Sequence, residues 1–248
     1  MFFLVFLLSH LFADVPHQTN LLGYSVTGRP IYVEILGKGE ENILLLGGVH
    51  GNEWAGTPLL LGIQKFIHTH PKLIEGKTVY ILPMLNPDGW IDNMRSNRRR
   101  VDLNRNFPSQ NYGRGLTGEH PLSEPESRIL DDLLHKIQPS RIISLHQPFS
   151  CIDYDGEGIY DLVNLLSRST KLPICKLGSR SGSLGAYISK KYPLITIEFP
   201  YDVQYKSMSF LWKKYGESMV ISIAYPKKFP FKDLAERPSS EYKTGKKE

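Results

Sequence analysis

Short apolar segments alternate along the chain with longer segments whose apolar residues recur at helical spacing. Residues 31–35 alternate between apolar and polar positions, which predicts a half-buried strand. Continuous apolar runs predict buried strands at residues 42–46, 78–82, 141–145 and 194–198. Helical spacing predicts helices at about residues 53–68, 123–137, 158–170 and 207–223. This alternation predicts a single-domain α/β fold with a mixed, largely parallel sheet and helices on both faces.

Local signals refine two regions of this pattern. Ser123 and Glu126 have the spacing of a capping box, with Pro125 in the first turn of the helix that follows. Residues 86–122 are rich in Gly, Pro, Asn and Arg and lack periodicity, which predicts a long loop. Because loops of that length in a compact domain usually carry function, we expect part of a functional site there.

The two ends of the chain differ in composition from its centre. Residues 1–13 are mostly apolar, as in a secretory signal peptide, although no Lys or Arg precedes the apolar run. We expect a signal peptide at residues 1–13, a folded domain at residues 14–228 and a polar tail at residues 229–248. If residues 1–13 act as a signal peptide, the protein is expected to be periplasmic or secreted. The alternative, a buried N-terminal element, would leave it cytoplasmic.

Composition and charge exclude several classes of protein. Of the 248 residues, 41% are hydrophobic and 22% charged, which suits one globular core and excludes a mostly disordered chain. The net charge of +5 comes without a basic stripe interleaved with aromatics, so we expect no nucleic-acid partner. No apolar run reaches the roughly 18 residues that span a bilayer, so no stable membrane insertion is expected after signal removal.

The two cysteines, Cys151 and Cys175, can form one disulfide at most and lack the spacing of a metal or redox motif. Two free, buried thiols are the favoured interpretation. The sequence indicates no particular oligomeric state.

Polar side chains follow three predicted strands at the point where each strand ends. His50 and Glu53 follow the second strand, His146 follows the fourth, and Glu198 ends the fifth. Because ligands of open α/β sheets bind outside the carboxyl ends of the strands, we expect these side chains at one rim. Two imidazoles and a carboxylate are the ligand set of a catalytic zinc with one position left for water.

We therefore predict one zinc ion per chain, held by His50, Glu53 and His146. Glu198 would then be free to act as general base and acid on the water and the leaving amine. An ion pair between Glu198 and one of the many arginines is the structural alternative.

Five motifs in order along the chain resemble those of the zinc carboxypeptidases: GGVHGNE, LNPDGW, RSNRRRVDLNRNFP, SLHQP and TIEFP. They span residues 47–200. Residues 122–127, 137–139 and 146–152 further resemble a branch of that family that acts on cell-wall peptides. The resemblance implies a zinc-dependent hydrolase whose partner is a peptidoglycan-derived peptide and whose target is the bond between γ-D-glutamate and meso-diaminopimelate.

The resemblance also implies roles for residues outside the ligand set. Arg95 would polarise the scissile carbonyl, and Asn104 and Arg105 would hold a carboxylate of the substrate, which a guanidinium fork binds bidentately. Asp102 is expected to orient a ligand histidine or its loop. Residues 182–185 resemble the segment that lines the family's specificity pocket.

Two positions depart from the cell-wall branch, because Asn52 and Gln147 stand where that branch has Asp. Losing those carboxylates would loosen recognition of the free amine of diaminopimelate. Two other functions stay open: an N-acyl amino acid hydrolase of the succinylglutamate desuccinylase and aspartoacylase type, and a non-catalytic peptide-binding protein of the same fold. Because the three predicted metal ligands and Glu198 are all present, an enzyme is favoured over a non-catalytic binding protein.

Overall fold

Seven strands form one mixed sheet in the computed structural model, which describes residues 15–110, 112–113, 116–178 and 180–229. The strands are β1 (His17–Tyr24), β2 (Pro30–Gly37), β3 (Glu41–Leu46), β4 (Lys77–Leu82), β5 (Arg141–His146), β6 (Phe149–Asp155) and β7 (Leu194–Pro200). The helices are α1 (Gly56–Thr69), α2 (Pro87–Asp92), α3 (Pro125–Ile137), α4 (Tyr160–Thr170), α5 (Leu184–Ile188) and α6 (Met208–Ala224). None of these helices is long and apolar enough to cross a membrane.

The predicted signal peptide and nearly all of the predicted tail lie outside the described residues. Both therefore stay predictions.

The order of strands across the sheet is β1-β2-β4-β3-β5-β7-β6. The four strands β4, β3, β5 and β7 run parallel in the centre, and β1, β2 and β6 join antiparallel at the edges. The predicted mixed α/β fold is confirmed, with its parallel part confined to the centre. The sequence did not reveal the edge strands β1 and β6, because edge strands bury little surface and so lack long apolar runs.

Helices cover both faces of the sheet, as predicted. Ile43 and Leu45 of β3 pack in one cluster with α1, α4 and α6. Leu44 and Leu46 pack on the opposite face with α3 and α5. Strands buried on both faces read as continuous apolar runs, which is why the central strands were visible in the sequence.

The capping box predicted at the start of α3 is wrong. Glu124 is the N-cap residue, and no side chain makes a capping hydrogen bond. The Ser123 hydroxyl donates instead to Glu124 Oε1 at 2.8 Å. Glu126 is fully buried and accepts hydrogen bonds from Asn97 Nδ2 at 3.1 Å and the Val26 N–H at 3.2 Å. These partners come from distant parts of the chain, so the local spacing could not reveal them.

Cys151 and Cys175 form a disulfide, so the interpretation of two free thiols is wrong. The segment that holds Cys175 runs beside β6, where the Cys175 N–H donates to the Ile152 carbonyl at 2.9 Å. The two Cα atoms are thereby brought to 5.8 Å across 24 residues of sequence. The bridge ties the segment before α5 to the edge of the sheet.

Candidate active site

The three predicted metal ligands converge at the carboxyl edge of the parallel strands. His50 Nδ1 lies 2.8 Å from Glu53 Oε1, and His146 Nδ1 lies 2.9 Å from Glu53 Oε2. The two Nδ1 atoms are 3.1 Å apart. All three side chains are buried, and each offers one ligand atom within 4.8 Å of the others. Together they can hold a metal ion.

A tight turn after β3 brings His50 and Glu53 to the same side. Gly48 has a φ of +60°, and a Cβ at Gly51 would lie 1.9 Å from the backbone of α2. Both positions therefore require glycine. The predicted start of α1 at Glu53 is wrong, because the helix begins at Gly56 and the turn holds Glu53 outside it.

The electrostatics of this cluster favour a cation. Burial opposes charge on His50, but Glu53 and Asp102 together outweigh burial and raise the pKa of His50 to about 9. Burial likewise opposes charge on Glu53, yet His50 and His146 hold the pKa of Glu53 well below its usual range. Two imidazoles and one carboxylate suit zinc and similar transition metals, whereas calcium needs more oxygen ligands. The donor set thus fits a catalytic transition metal.

Asp102 contacts the predicted ligand His50 on the ring nitrogen that faces away from the cluster. Its Oδ1 lies 3.0 Å from His50 Nε2, and its Oδ2 accepts from Arg95 Nε at 3.0 Å. A carboxylate on one ring nitrogen fixes the orientation and tautomer of a metal-binding histidine. The contact is the one expected if Asp102 orients His50, so that Nδ1 faces the metal position.

The residues expected to contact substrate line one pocket next to this cluster. Arg95 Nη1 donates to Glu53 Oε1 at 2.9 Å, which holds the guanidinium beside the metal position. Asn104 Oδ1 accepts from the Leu184 N–H at 2.9 Å, so its Nδ2 is the end left to donate into the pocket. Arg105 is half-buried on the same wall. All three therefore lie where a carboxylate or carbonyl of a ligand would meet them.

Glu198 lies directly beside the ligand cluster. Parallel pairing of β5 with β7 puts Glu198 opposite His146. Glu198 is buried, and its Oε2 accepts a long hydrogen bond from the Phe149 N–H at 3.5 Å. It forms no ion pair with any residue in the described part of the chain, so the structural alternative of an arginine partner is not observed. Burial raises the pKa of Glu198, Glu53 adds to the rise, and His146 opposes it.

Sequence reasoning missed one wall of the pocket. The cavity has a volume of about 310 Å³, and β6 contributes Asp153 and Asp155 to it. The alternation of residues 151–155, with acids at every second position, could have indicated a strand that presents two carboxylates on one face.

The two positions that depart from the cell-wall branch lie outside this pocket. Gln147 Oε1 accepts from the Ala55 N–H at 3.1 Å, and its Nε2 donates to the Pro200 carbonyl at 3.1 Å. The Asn52 carbonyl accepts from Gln204 Nε2 at 2.6 Å. Both residues therefore brace the segments that carry the predicted metal ligands.

Comparison with known proteins agrees with this geometry. The family described as zinc carboxypeptidase matches residues 6–155. Murein peptide amidase A of Escherichia coli is 32% identical over 206 residues, which cover 75% of this chain and 82% of that protein. The protein of the same name from Vibrio campbellii is 28% identical over 199 residues, covering 72% and 77%.

Solved structures show the same fold. The murein-tripeptide amidase of Escherichia coli aligns with a TM-score of 0.68 at 26% identity, covering 88% of this chain and 96% of that one. Carboxypeptidase A of Helicoverpa armigera aligns with a TM-score of 0.71 at 21% identity, covering 88% and 71%. At 21% identity, the similarity to carboxypeptidase A shows a shared fold and no more than that.

Asp102→Asn is expected to lower the affinity of the site for added Zn²⁺ by about 10- to 100-fold, because an amide holds the His50 ring less firmly than a carboxylate. A competition titration against a chromophoric chelator measures this affinity. The matched control is Asp92→Asn, at an exposed aspartate on α2 whose partner is Arg98. Equal affinities in the two variants would remove Asp102 from the orienting role.

Proposed function

The chain belongs to the zinc carboxypeptidase family, and on that premise we propose that it hydrolyses an amide bond in peptidoglycan-derived peptides, between γ-D-glutamate and meso-diaminopimelate. That the chain is a metal-dependent peptide-bond hydrolase follows from the family and the ligand cluster. The finer proposal rests on one observation above all. Glu198 and the ligand cluster open onto a pocket that carries groups for a carboxylate-bearing leaving residue.

The proposed metal is zinc, one ion per chain, held by His50, Glu53 and His146. The two Nδ1 atoms and the Glu53 carboxylate supply a nitrogen-rich, three-ligand site of the kind that catalytic zinc occupies. A zinc ion held there would supply Lewis acidity, which activates water near neutral pH and polarises a carbonyl.

Glu198 is the proposed general base and acid. Its carboxylate is buried one strand away from His146 and forms no ion pair with a described residue, so it can both accept and return a proton. It takes a proton from the attacking water and later donates it to the leaving nitrogen. Its raised pKa brings the carboxylate closer to the pH at which such an exchange is efficient.

The arginines and Asn104 are the proposed substrate contacts. Arg95, held between Glu53 and Asp102, directs its guanidinium at the carbonyl oxygen where negative charge develops. Arg105 and the Asn104 amide grip the carboxylate of the leaving residue, for which a planar fork and a directed N–H donor are suited. The scissile bond would then be the amide next to that carboxylate.

The protein is also proposed to be exported. Disulfides persist in oxidising compartments such as the periplasm, and the Cys151–Cys175 bridge supports this location. Sequencing the N-terminus of the protein recovered from the periplasm or medium is expected to give a start near Asp14. Recovery only from the cytosol with residues 1–13 intact would contradict export.

The proposed activity is tested by mass spectrometry of the products from L-Ala-γ-D-Glu-meso-diaminopimelate. Free meso-diaminopimelate is expected, with loss of release after chelation and recovery on adding about one equivalent of Zn²⁺ per chain. N-acylated amino acids and ordinary C-terminal dipeptides serve as comparison substrates.

Three other results would each favour an alternative function or contradict the proposal. Preferred release of the acid from an N-acylated amino acid would favour the N-acyl hydrolase alternative. Binding of the tripeptide without cleavage, in protein loaded with zinc, would favour the non-catalytic alternative. Full turnover in protein free of transition metal would contradict the metalloenzyme proposal itself.

Glu198→Gln is expected to retain zinc and lose about 10³-fold or more in kcat, because proton transfer to and from the reacting groups is lost. Metal content by elemental analysis and single-turnover kinetics check the two parts separately. Glu217→Gln, at an exposed glutamate on α6, is the matched control. Turnover within a few fold of the unmodified enzyme would exclude Glu198 as the general base.

A further inference from the structure

A groove separate from the catalytic pocket lies on the face of the sheet that α4 and α6 cover. This α4–α6 groove runs between the C-terminal half of α4 and residues 225–229, which follow α6, and it encloses about 850 Å³. Ile221, Tyr225 and Phe229, all partly buried, line it together with Leu165, which is 41% exposed. A contiguous apolar surface that stays open to solvent indicates a binding site.

The wall of the groove made by residues 225–229 is held by contacts to the core. Arg141 Nη2 donates to the Tyr225 carbonyl at 3.0 Å. The ring of Phe229 meets the ring of Phe66 edge to face, with 6.4 Å between the ring centres. A ligand would therefore find this wall already formed, which lowers the cost of binding.

The charges around the groove are mostly positive. Among the described residues, its lining carries four cations, Arg168, Lys171, Lys227 and Lys228, against one acid, Glu217. All four cations are exposed, and none of them forms an ion pair with a residue that the structure describes. The groove therefore offers an apolar lining with a positive rim that is free to meet an anion.

The end of α4 accounts for part of this charge. Arg168 lies in the last turn of α4 and Lys171 follows that turn, where the helix dipole stabilises a cation. The dipole does not explain the open apolar lining between these cations and the two lysines beyond α6, because a helix end stabilises a cation equally well beside polar surface. Apolar side chains bordered by unpaired cations match a partner that has an anionic head and an apolar chain.

The groove lies at the edge of the sheet opposite the candidate active site. Arg141, whose guanidinium holds Tyr225, is the first residue of β5, and His146 is the last. Five residue steps of about 3.3 Å along β5 put these two residues on the order of 16 Å apart. A flat partner that covers the groove would therefore leave the catalytic pocket open to solvent on the far edge.

We propose that the α4–α6 groove docks the protein on a bilayer of anionic phospholipids. The apolar lining contacts acyl chain, and the four cations contact lipid phosphates. Docking of this kind is peripheral and needs no membrane-spanning helix. It does not depend on the proposed scissile bond, because no described residue lines both the groove and the catalytic pocket.

The test measures how the purified full chain sediments with vesicles of phosphatidylcholine alone or of phosphatidylcholine and phosphatidylglycerol in equal parts. Binding to the anionic vesicles is expected to be about tenfold tighter or more, and to weaken as salt is raised, because salt screens exposed charges. Equal binding to both kinds of vesicle would overturn the proposal. That result is the one expected if residues 1–13 alone caused binding, since they are mostly apolar and contain no Lys or Arg.

Two variants at exposed positions locate the contact. Lys227→Gln combined with Lys228→Gln is expected to weaken binding to the anionic vesicles by about 10- to 30-fold, since each cation near an anionic surface contributes a factor of about five. Leu165→Gln is expected to weaken it by about 3- to 10-fold, because an apolar side chain is lost from the interface. The matched control is Arg98→Gln combined with Arg99→Gln, an adjacent exposed pair on the loop beside the ligand cluster, and it is expected to bind like the unmodified protein.

Three further outcomes would contradict docking through this groove. Undiminished binding in both groove variants would place the contact elsewhere, and so would a loss in the arginine control as large as the loss in the lysine variant. Failure of the unmodified chain to bind anionic vesicles would overturn the proposal, whether residues 230–248, a second copy of the chain or solvent fills the groove. Cleavage of the tripeptide in solution is measured without vesicles, so it tests the proposed function separately.

Discussion

Two imidazoles and a carboxylate, all buried, meet at one point of the sheet edge, and a positive charge among them, on a proton or a metal ion, stabilises the ionised carboxylate. Without that charge the Nδ1 atoms of His50 and His146 would face each other at 3.1 Å beside an ionised Glu53. The fold provides for it by placing an orienting carboxylate behind His50 and an arginine beside Glu53. Asp102 and Arg95 thus contact the cluster directly and help to fix the positions of His50 and Glu53.

The central parallel strands connect this cation site to the substrate pocket. Because β5, β7 and β6 are paired in register, the row that holds His146 and Glu198 continues into the row of Ser144, Thr196 and Asp153 on the same face. The row of His146 and Glu198 is therefore separated from this second row of pocket-lining residues by one pleat of the sheet.

The opposite wall of the pocket is made of less regular structure and is held in other ways. The Cys151–Cys175 bridge joins the segment before α5 to β6, and the Asn104 amide accepts from the Leu184 N–H at the start of α5. Each tie connects two segments that contribute residues to the pocket. These two ties hold segments of the pocket in place, which reduces the ordering that a bound peptide would have to provide.

The sequence by itself determined the central strands, the helices on both faces and the place of four polar residues at the strand ends, because buried parallel strands and their polar C-terminal residues leave a local signal. It did not determine the disulfide or the start of α3, and the alternation of residues 151–155 could at most indicate β6 and its two acids without showing that they line the pocket. Edge strands bury too little to show a clear apolar pattern, and the partners of Cys151, Glu126 and Asp153 lie 20 residues or more away in sequence. Which residues share a row or a bridge is decided by strand register and packing, and these depend on the whole chain folding at once.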